Sequence, residues 1–179
     1  GSGMNNSVTA LTTHEGKLVA GGDFTSAGGV AANRVAEWNG TSWQPLGSGL
    51  SESVFALASH NGLLYAGGRF FSLFRIARWN GGAWNALGPG VNNDVNALAV
   101  YEDDLILGGN FTIAGGLPIN GIAKWNGINF QPLGGGVLWP NSSPGGVYAL
   151  VEHHGELIVG GSFSMAGEVL VNNIARWNG

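Results

Sequence analysis

Histidine recurs at one point in this chain. His14, His60 and His153 each close a short apolar run, and Tyr101 stands at the matching point of a fourth run. Imidazoles gathered in one place would make a metal centre. These three sit on equivalent turns of different repeats, and such turns lie more than about 10 Å apart when sheets stack face to face, so they are expected to be solvated turn residues. Oxygen ligands for calcium are on offer in Glu102-Asp103-Asp104, and in Asp23 and Asn110 after glycine pairs, but no loop has the spacing of an EF-hand. Glycoside hydrolysis needs two carboxyl groups roughly 5–10 Å apart across a cleft, and no spacing here pins such a pair. No phosphate loop of the G-x-x-x-x-G-K-[ST] type is present, nor a following helix to supply an anion site. Four Asn-Xaa-Ser/Thr sequons, at Asn5, Asn39, Asn110 and Asn141, are what chance gives in so Asn-rich a chain. They matter only in a eukaryotic secretory protein. The chain has no cysteine, which excludes disulfides, thiolate metal sites and cysteine nucleophiles. The expectation is no catalytic residue, no cofactor and no metal ligand set.

Composition narrows the partners. Seven Lys and Arg against eleven Asp and Glu give a net charge of -4, and binding to nucleic acid or an anionic membrane needs clustered cations. No apolar run reaches the ~18 residues of a membrane-spanning helix. Charged residues make up 10% of the chain, against a usual ~25%, so Asn, Ser, Thr and Gly must cover the surface. Low charge without thiols suits an exported bacterial protein, extracellular or at the cell surface.

What positions these residues is a repeat. Gly21-Gly22, Phe24, Trp38-Asn39-Gly40, Trp43 and Leu46 return as Gly67-Gly68, Phe70, Trp79-Asn80-Gly81, Trp84 and Leu87. They return again as Gly108-Gly109, Phe111, Trp125-Asn126-Gly127, Phe130 and Leu133, and once more as Gly160-Gly161, Phe163 and Trp177-Asn178-Gly179. The repeats run over about 1–46, 47–87, 88–133 and 134–179, one array across residues 1–179. Gly1-Ser2-Gly3-Met4 reads either as a vector-derived leader or as the counterpart of Gly47-Ser48-Gly49-Leu50.

Each repeat predicts four short strands. The first begins at Val8, Val54, Val95 or Val147 and ends in a tight turn at Glu15-Gly16, Asn61-Gly62, Asp103-Asp104 or His154-Gly155, Asn-Gly being the strongest hairpin signal. The second, Leu18 to Phe24 and its equivalents, is apolar nearly throughout, which suits a strand covered on both faces. A loop such as 25–33 leads to the third strand, which ends in Trp-Asn-Gly, and the fourth is 42–46, 83–87 or 129–133. The last repeat has no counterpart of the fourth. No segment carries helical periodicity. The tryptophans lie 41, 46 and 52 residues apart, and four short strands at such a period mark a β-propeller blade. An all-β propeller of four four-stranded repeats is expected, with the inner glycines admitting a neighbouring blade's aromatic and the repeat tryptophans buried between blades.

The glycine pair, the aromatic ending the third strand and the tryptophan about five residues on resemble the kelch and galactose-oxidase type of propeller repeat. The fuller string GGDFTSAGG…NRVAEWNGTSWQPLGSG is similar to repeats of bacterial secreted propellers and of fungal Rax2-like cortical-marker proteins. The second repeat departs, with Phe74 where the others have Asn33, Asn120 and Asn172. The resemblance implies the fold and an exported or surface setting, and it transfers no catalytic motif. The copper cofactor of galactose oxidase is built with a cysteine, so that chemistry is ruled out.

Strand order puts the loops between strands two and three on the same face as those between four and one. All length variation falls there, including the insertion 137–145 with Trp139 and Pro140. Variable loops on a rigid scaffold are where binding resides, so Trp139, Pro140 and Trp177 are the candidate partner-binding residues, for a protein or glycan ligand. The alternative for Trp139 is packing over a seam between blades. The rival functional class is a polysaccharide hydrolase or lyase using acids on this long-loop face. Four blades can close on themselves, but these repeats resemble families that form larger discs, and an open array of four leaves an apolar face at each end. Two copies meeting head to tail are therefore expected to form a homodimer with an eight-bladed ring.

Overall fold

A computed structural model describes residues 2–141 and 143–178. Gly1, Ser142 and the Gly179 of the fourth Trp-Asn-Gly lie outside the described residues. The chain divides into two compact units, residues 1–87 and 88–179, each holding two repeats.

In the first unit, repeat 1 is an antiparallel meander of Val8–His14, Lys17–Gly22, Val35–Trp38 and Trp43–Pro45. Repeat 2 follows with Val54–His60, Leu63–Gly68, Ile76–Trp79 and Trp84–Ala86. In the second unit, repeat 3 comprises Val95–Tyr101, Asp104–Gly109, Ile122–Trp125 and Phe130–Pro132. Repeat 4 is a three-stranded sheet of Gly146–His153, Glu156–Ser162 and Ile174–Trp177. There is no α-helix among the described residues. The protein is all-β, built of antiparallel blades.

The Trp-Asn-Gly signature has a local cause. The side-chain oxygen of Asn39 accepts the amides of Thr41 and Ser42, both at 2.9 Å. Asn80 does the same for Gly82 and Ala83, and Asn126 for Ile128 and Asn129. Each asparagine thus makes the reversal that sends strand three into strand four. The glycine after it takes φ of 100°, 93° or 92° at Gly40, Gly81 and Gly127, a region that a side chain disfavours.

The inner-strand glycines have two different reasons. A Cβ on Gly22 would stand 2.0 Å from the Ser7 carbonyl oxygen of its own sheet, and Gly68, Gly109 and Gly161 repeat this against Ser53, Asp94 and Gly146. A Cβ on Gly21 would instead meet Val54 Cγ1 at 2.6 Å and Leu57 Cδ1 at 3.2 Å, and one on Gly108 would meet Val147 and Leu150. The neighbour admitted by these glycines is therefore aliphatic, not aromatic. The first strand of the next repeat carries Val-x-x-Leu on the face it turns towards the preceding one. A one-residue bulge at Thr9, Phe55, Asn96 and Tyr148 shifts the register of that strand. Bulges re-aim a side chain: Thr9 Oγ1 donates to the Val54 carbonyl, and Asn96 Nδ2 donates to that of Val147.

Several expectations are corrected. His14 is buried, not solvated, and so is Tyr101 at the matching point of repeat 3. Each reaches the next repeat of its unit, His14 Nδ1 lying 2.9 Å from Ser59 Oγ and Tyr101 donating to the Gly155 carbonyl at 3.4 Å. The third hairpin turns at Glu102-Asp103, one residue earlier than expected, both residues having positive φ. The loop 25–33 contains a ribbon, Ser26–Ala27 with Val30–Ala31, and repeats 3 and 4 have the same device. Repeat 2, with a loop five residues shorter, substitutes a single 3₁₀ turn, Phe71–Leu73. Of the four repeat tryptophans only Trp125 is fully buried, while Trp38, Trp79 and Trp177 are half-buried. Full burial falls instead to Phe24, Phe70, Phe111 and Phe163, which follow the inner strands and are wholly enclosed.

Candidate functional site

The loops between strands two and three meet those between four and one, as strand order requires. Met4 bridges Ala27, Val91 bridges Ala114, and Val137 pairs Ala166. The Gly3, Gly90 and Gly136 carbonyls accept from Gly28, Gly115 and Gly167, so Gly3 and Met4 make the contacts of a repeat. Asn5 and Asn92 then clamp the ribbons. Asn5 Oδ1 accepts the amides of Thr25 and Ser26 while its Nδ2 donates to Thr25 Oγ1 at 2.9 Å, and Asn92 repeats the set on Thr112 and Ile113.

Trp139 and Pro140 lie on this face. Trp139 is 38% exposed, and its amide donates to the Ser143 carbonyl at 2.8 Å. Leu138 bridges Pro144, so the insertion folds back on itself and presents the indole beside an exposed proline. Trp177 is elsewhere. It lines an apolar cavity of about 220 Å³ in the second unit, with Ile122, Leu133, Val137, Val159 and Ala175 among its neighbours. Trp139 is not in that lining, so the three candidate residues do not form one site.

Charge offers little chemistry. Lys17 pairs with Glu37 at 2.7 Å, Lys124 with Asp104 at 3.0 Å and Arg176 with Glu156 at 3.3 Å. These are one cross-strand position in three repeats, with the signs exchanged between them. Asp23 accepts a hydrogen bond from Ser53 Oγ of the next repeat, and Asn110 holds the matching place beside Gly146. The first unit has a polar cleft of about 550 Å³ bordered by Asn33, Arg34, Ser51 and Ser72. Neither it, the apolar cavity nor two further clefts carries an Asp or Glu in its lining. Among the described residues no three of His, Asp and Glu converge as a metal-ligand group, and no helix is long and apolar enough to cross a membrane.

A family model described as "Domain of unknown function (DUF5122) beta-propeller" matches residues 16–39. These residues span the first inner strand through the first Trp-Asn. No curated protein matches the chain. Among solved structures it is similar to the computationally designed Ika4 protein, at 17% identity and a TM-score of 0.59, over 98% of this chain and 92% of that one. It is also similar to the computationally designed Ika8 protein, at 18% identity and a TM-score of 0.53, over 89% of this chain and 44% of that one. At such identities the likeness is one of fold. Blades, family model and neighbours together define an all-β protein of the β-propeller class, a scaffold fold.

Proposed function

We propose that this chain is a non-enzymatic propeller segment of kelch-like repeats, exported to the cell surface or beyond, that serves as a binding or structural scaffold. It assembles by packing blade on blade with a second copy. The observation that carries this is the unequal state of one repeated contact. Gly21 and Gly108 each receive a Val-x-x-Leu knob from the following repeat, whereas a Cβ on Gly160 would meet only its own sheet's Ala149. Conversely, Leu11 is 62% exposed and Val8 41%, while their counterparts Leu57 and Val54 are 8% and 0% exposed.

A knob and a hole of the same design are thus both uncovered. Two copies related by a two-fold axis would seat each knob in the other's hole and make an eight-bladed ring. Light scattering is expected to give twice the chain mass of 18.4 kDa. A stable monomer, with Leu11 shielded in it, would overturn the dimer and favour closure within one chain. Turnover of any polysaccharide by the purified protein would overturn the non-enzymatic role. Trp139 and Pro140 form the proposed contact for a protein or glycan ligand, tested by a glycan array read with Trp139→Ala beside the parent chain.

A further inference from the structure

Repeat 2 departs from the pattern of the others, and the joint it makes with repeat 1 departs with it. In the second unit, the connection into repeat 4 is covered by that repeat's ribbon. The Gly167 amide donates to the Gly136 carbonyl, and Val137 and Leu138 pair with Ala166 and Met165. In the first unit the matching connection is 47–50. Repeat 2 sends it no ribbon but the short turn Phe71–Leu73. The strip that is roofed in the second unit therefore borders an open polar cleft in the first, of about 550 Å³. That is room for a small-molecule ligand.

The walls of this cleft are fixed. The Leu50 amide donates to the Asn33 carbonyl at 3.0 Å, and Asn33 Nδ2 donates to the Ser48 carbonyl at 3.1 Å. A Cβ on Gly49 would stand 2.1 Å from the Asn33 carbonyl oxygen, so the two segments touch along their backbones. Asn33 Oδ1 is left to accept from a ligand. Ser51 stands where Asn5 and Asn92 clamp a ribbon, and its hydroxyl meets that of Ser72 at 3.2 Å instead. One hydrogen bond between two hydroxyls leaves both with further capacity. Arg34 is the one cation in the lining. Its Nη1 donates to the Asp23 and Phe24 carbonyls, and its Nε is buried without a partner. Among the described residues no carboxylate pairs with it. A guanidinium carries five donors in a rigid fork that matches a carboxylate, so both charge and donors remain for an anion.

We propose that this cleft binds an acidic saccharide, a short glycan carrying a uronate carboxylate. The Arg34 guanidinium takes the carboxylate, while Asn33, Ser51 and Ser72 take ring hydroxyls. Leu73 and Trp84, which also line the cleft, offer apolar surface to the C–H face of a sugar ring. A neutral glycan would leave the cation unmatched, and a bare acid would leave the amide and hydroxyls unused. A nucleic acid or a heavily sulfated chain needs clustered cations, and this lining has one. The inference concerns the first unit alone and rests neither on Trp139 nor on self-association.

The test is calorimetric titration of the full chain with digalacturonate and, beside it, its dimethyl ester, which keeps the skeleton and removes the charge. Saturable binding of the acid is expected, with the ester weaker by about tenfold or more. Amide resonances that move on titration should gather at residues 33–34, 48–51 and 72–73. Arg34→Gln should weaken the acid to the level of the ester. Ser72→Trp, on an exposed turn, should block both, and Trp139→Ala should bind as the parent does. Should Arg34→Gln fail to fold, because the guanidinium also holds the Asp23 and Phe24 carbonyls, the ester decides the charge and Ser72→Trp the place. Equal binding of acid and ester, or acetate binding as tightly as digalacturonate, would overturn the proposal. So would resonance changes confined to other residues, or no binding up to millimolar digalacturonate.

Discussion

Asparagine and tryptophan divide the labour within each Trp-Asn-Gly. The asparagine closes the turn through its side chain, and the tryptophan covers the chain that enters its own repeat, Trp79 over Gly47 and Trp177 over Gly134. Trp125, buried and 4.8 Å from Phe130 by ring centroids, should cost about 3–5 kcal/mol when replaced by alanine, measured by denaturant unfolding. Trp139→Ala should stay within about 0.5 kcal/mol of the parent, its indole being half in solvent. Tyr65 makes a different kind of test. Burial pushes its hydroxyl above the usual 10, with Arg78 pulling part of the way back, so the folded chain holds that proton more tightly than the unfolded one. The associated stability is complete below about pH 10 and is lost as pH rises through the folded value. Unfolding at about pH 8 and about pH 11 should show that loss, and Tyr65→Phe should reduce it. The glycines and asparagines of the turns were legible because they act within a few residues of themselves. The burial of His14 was not, since the hydroxyl that meets it belongs to Ser59, 45 residues on.

At the scale of the strand, the joint between the two repeats of each unit is a small kit of parts. Val-x-x-Leu enters over a glycine, the bulged residue donates to the incoming valine's carbonyl, and a turn residue clasps the next hairpin. Leu57→Ala should therefore destabilise the chain by about 2–5 kcal/mol, as read from the denaturant midpoint. Leu11→Ala should leave unfolding of the dilute chain nearly unchanged and weaken association instead. Strand order, and the absence of α-helix among the described residues, could be read from the period of the pattern. The two-residue ribbons could not, because segments that short show no alternation. Nor did the sequence show that aliphatic rather than aromatic side chains fill the inner glycines, for both are present at fixed spacings and only the register chooses between them.

For the molecule as a whole, the class of fold was legible from self-similarity, and the candidate site was legible only in part. The loop face was deduced from strand order, and Trp139 is exposed there. The cavity beside Trp177 was hidden, since its lining is drawn from two repeats and no local stretch spells it. With no convergent ligand group among the described residues, chelator should leave the thermal midpoint unchanged, and a large fall would point to Asp23 and Asp103. The interchangeable joint has a consequence for how the chain reaches its native state. Any incoming Val-x-x-Leu can dock on any uncovered inner glycine, so partly folded chains can recognise one another as readily as themselves. Repeat arrays nucleate locally and propagate, and wrong neighbours are their characteristic trap. Refolding yield should therefore fall as protein concentration rises, with the lost material as soluble oligomers rather than disordered precipitate, and slow dilution should recover it.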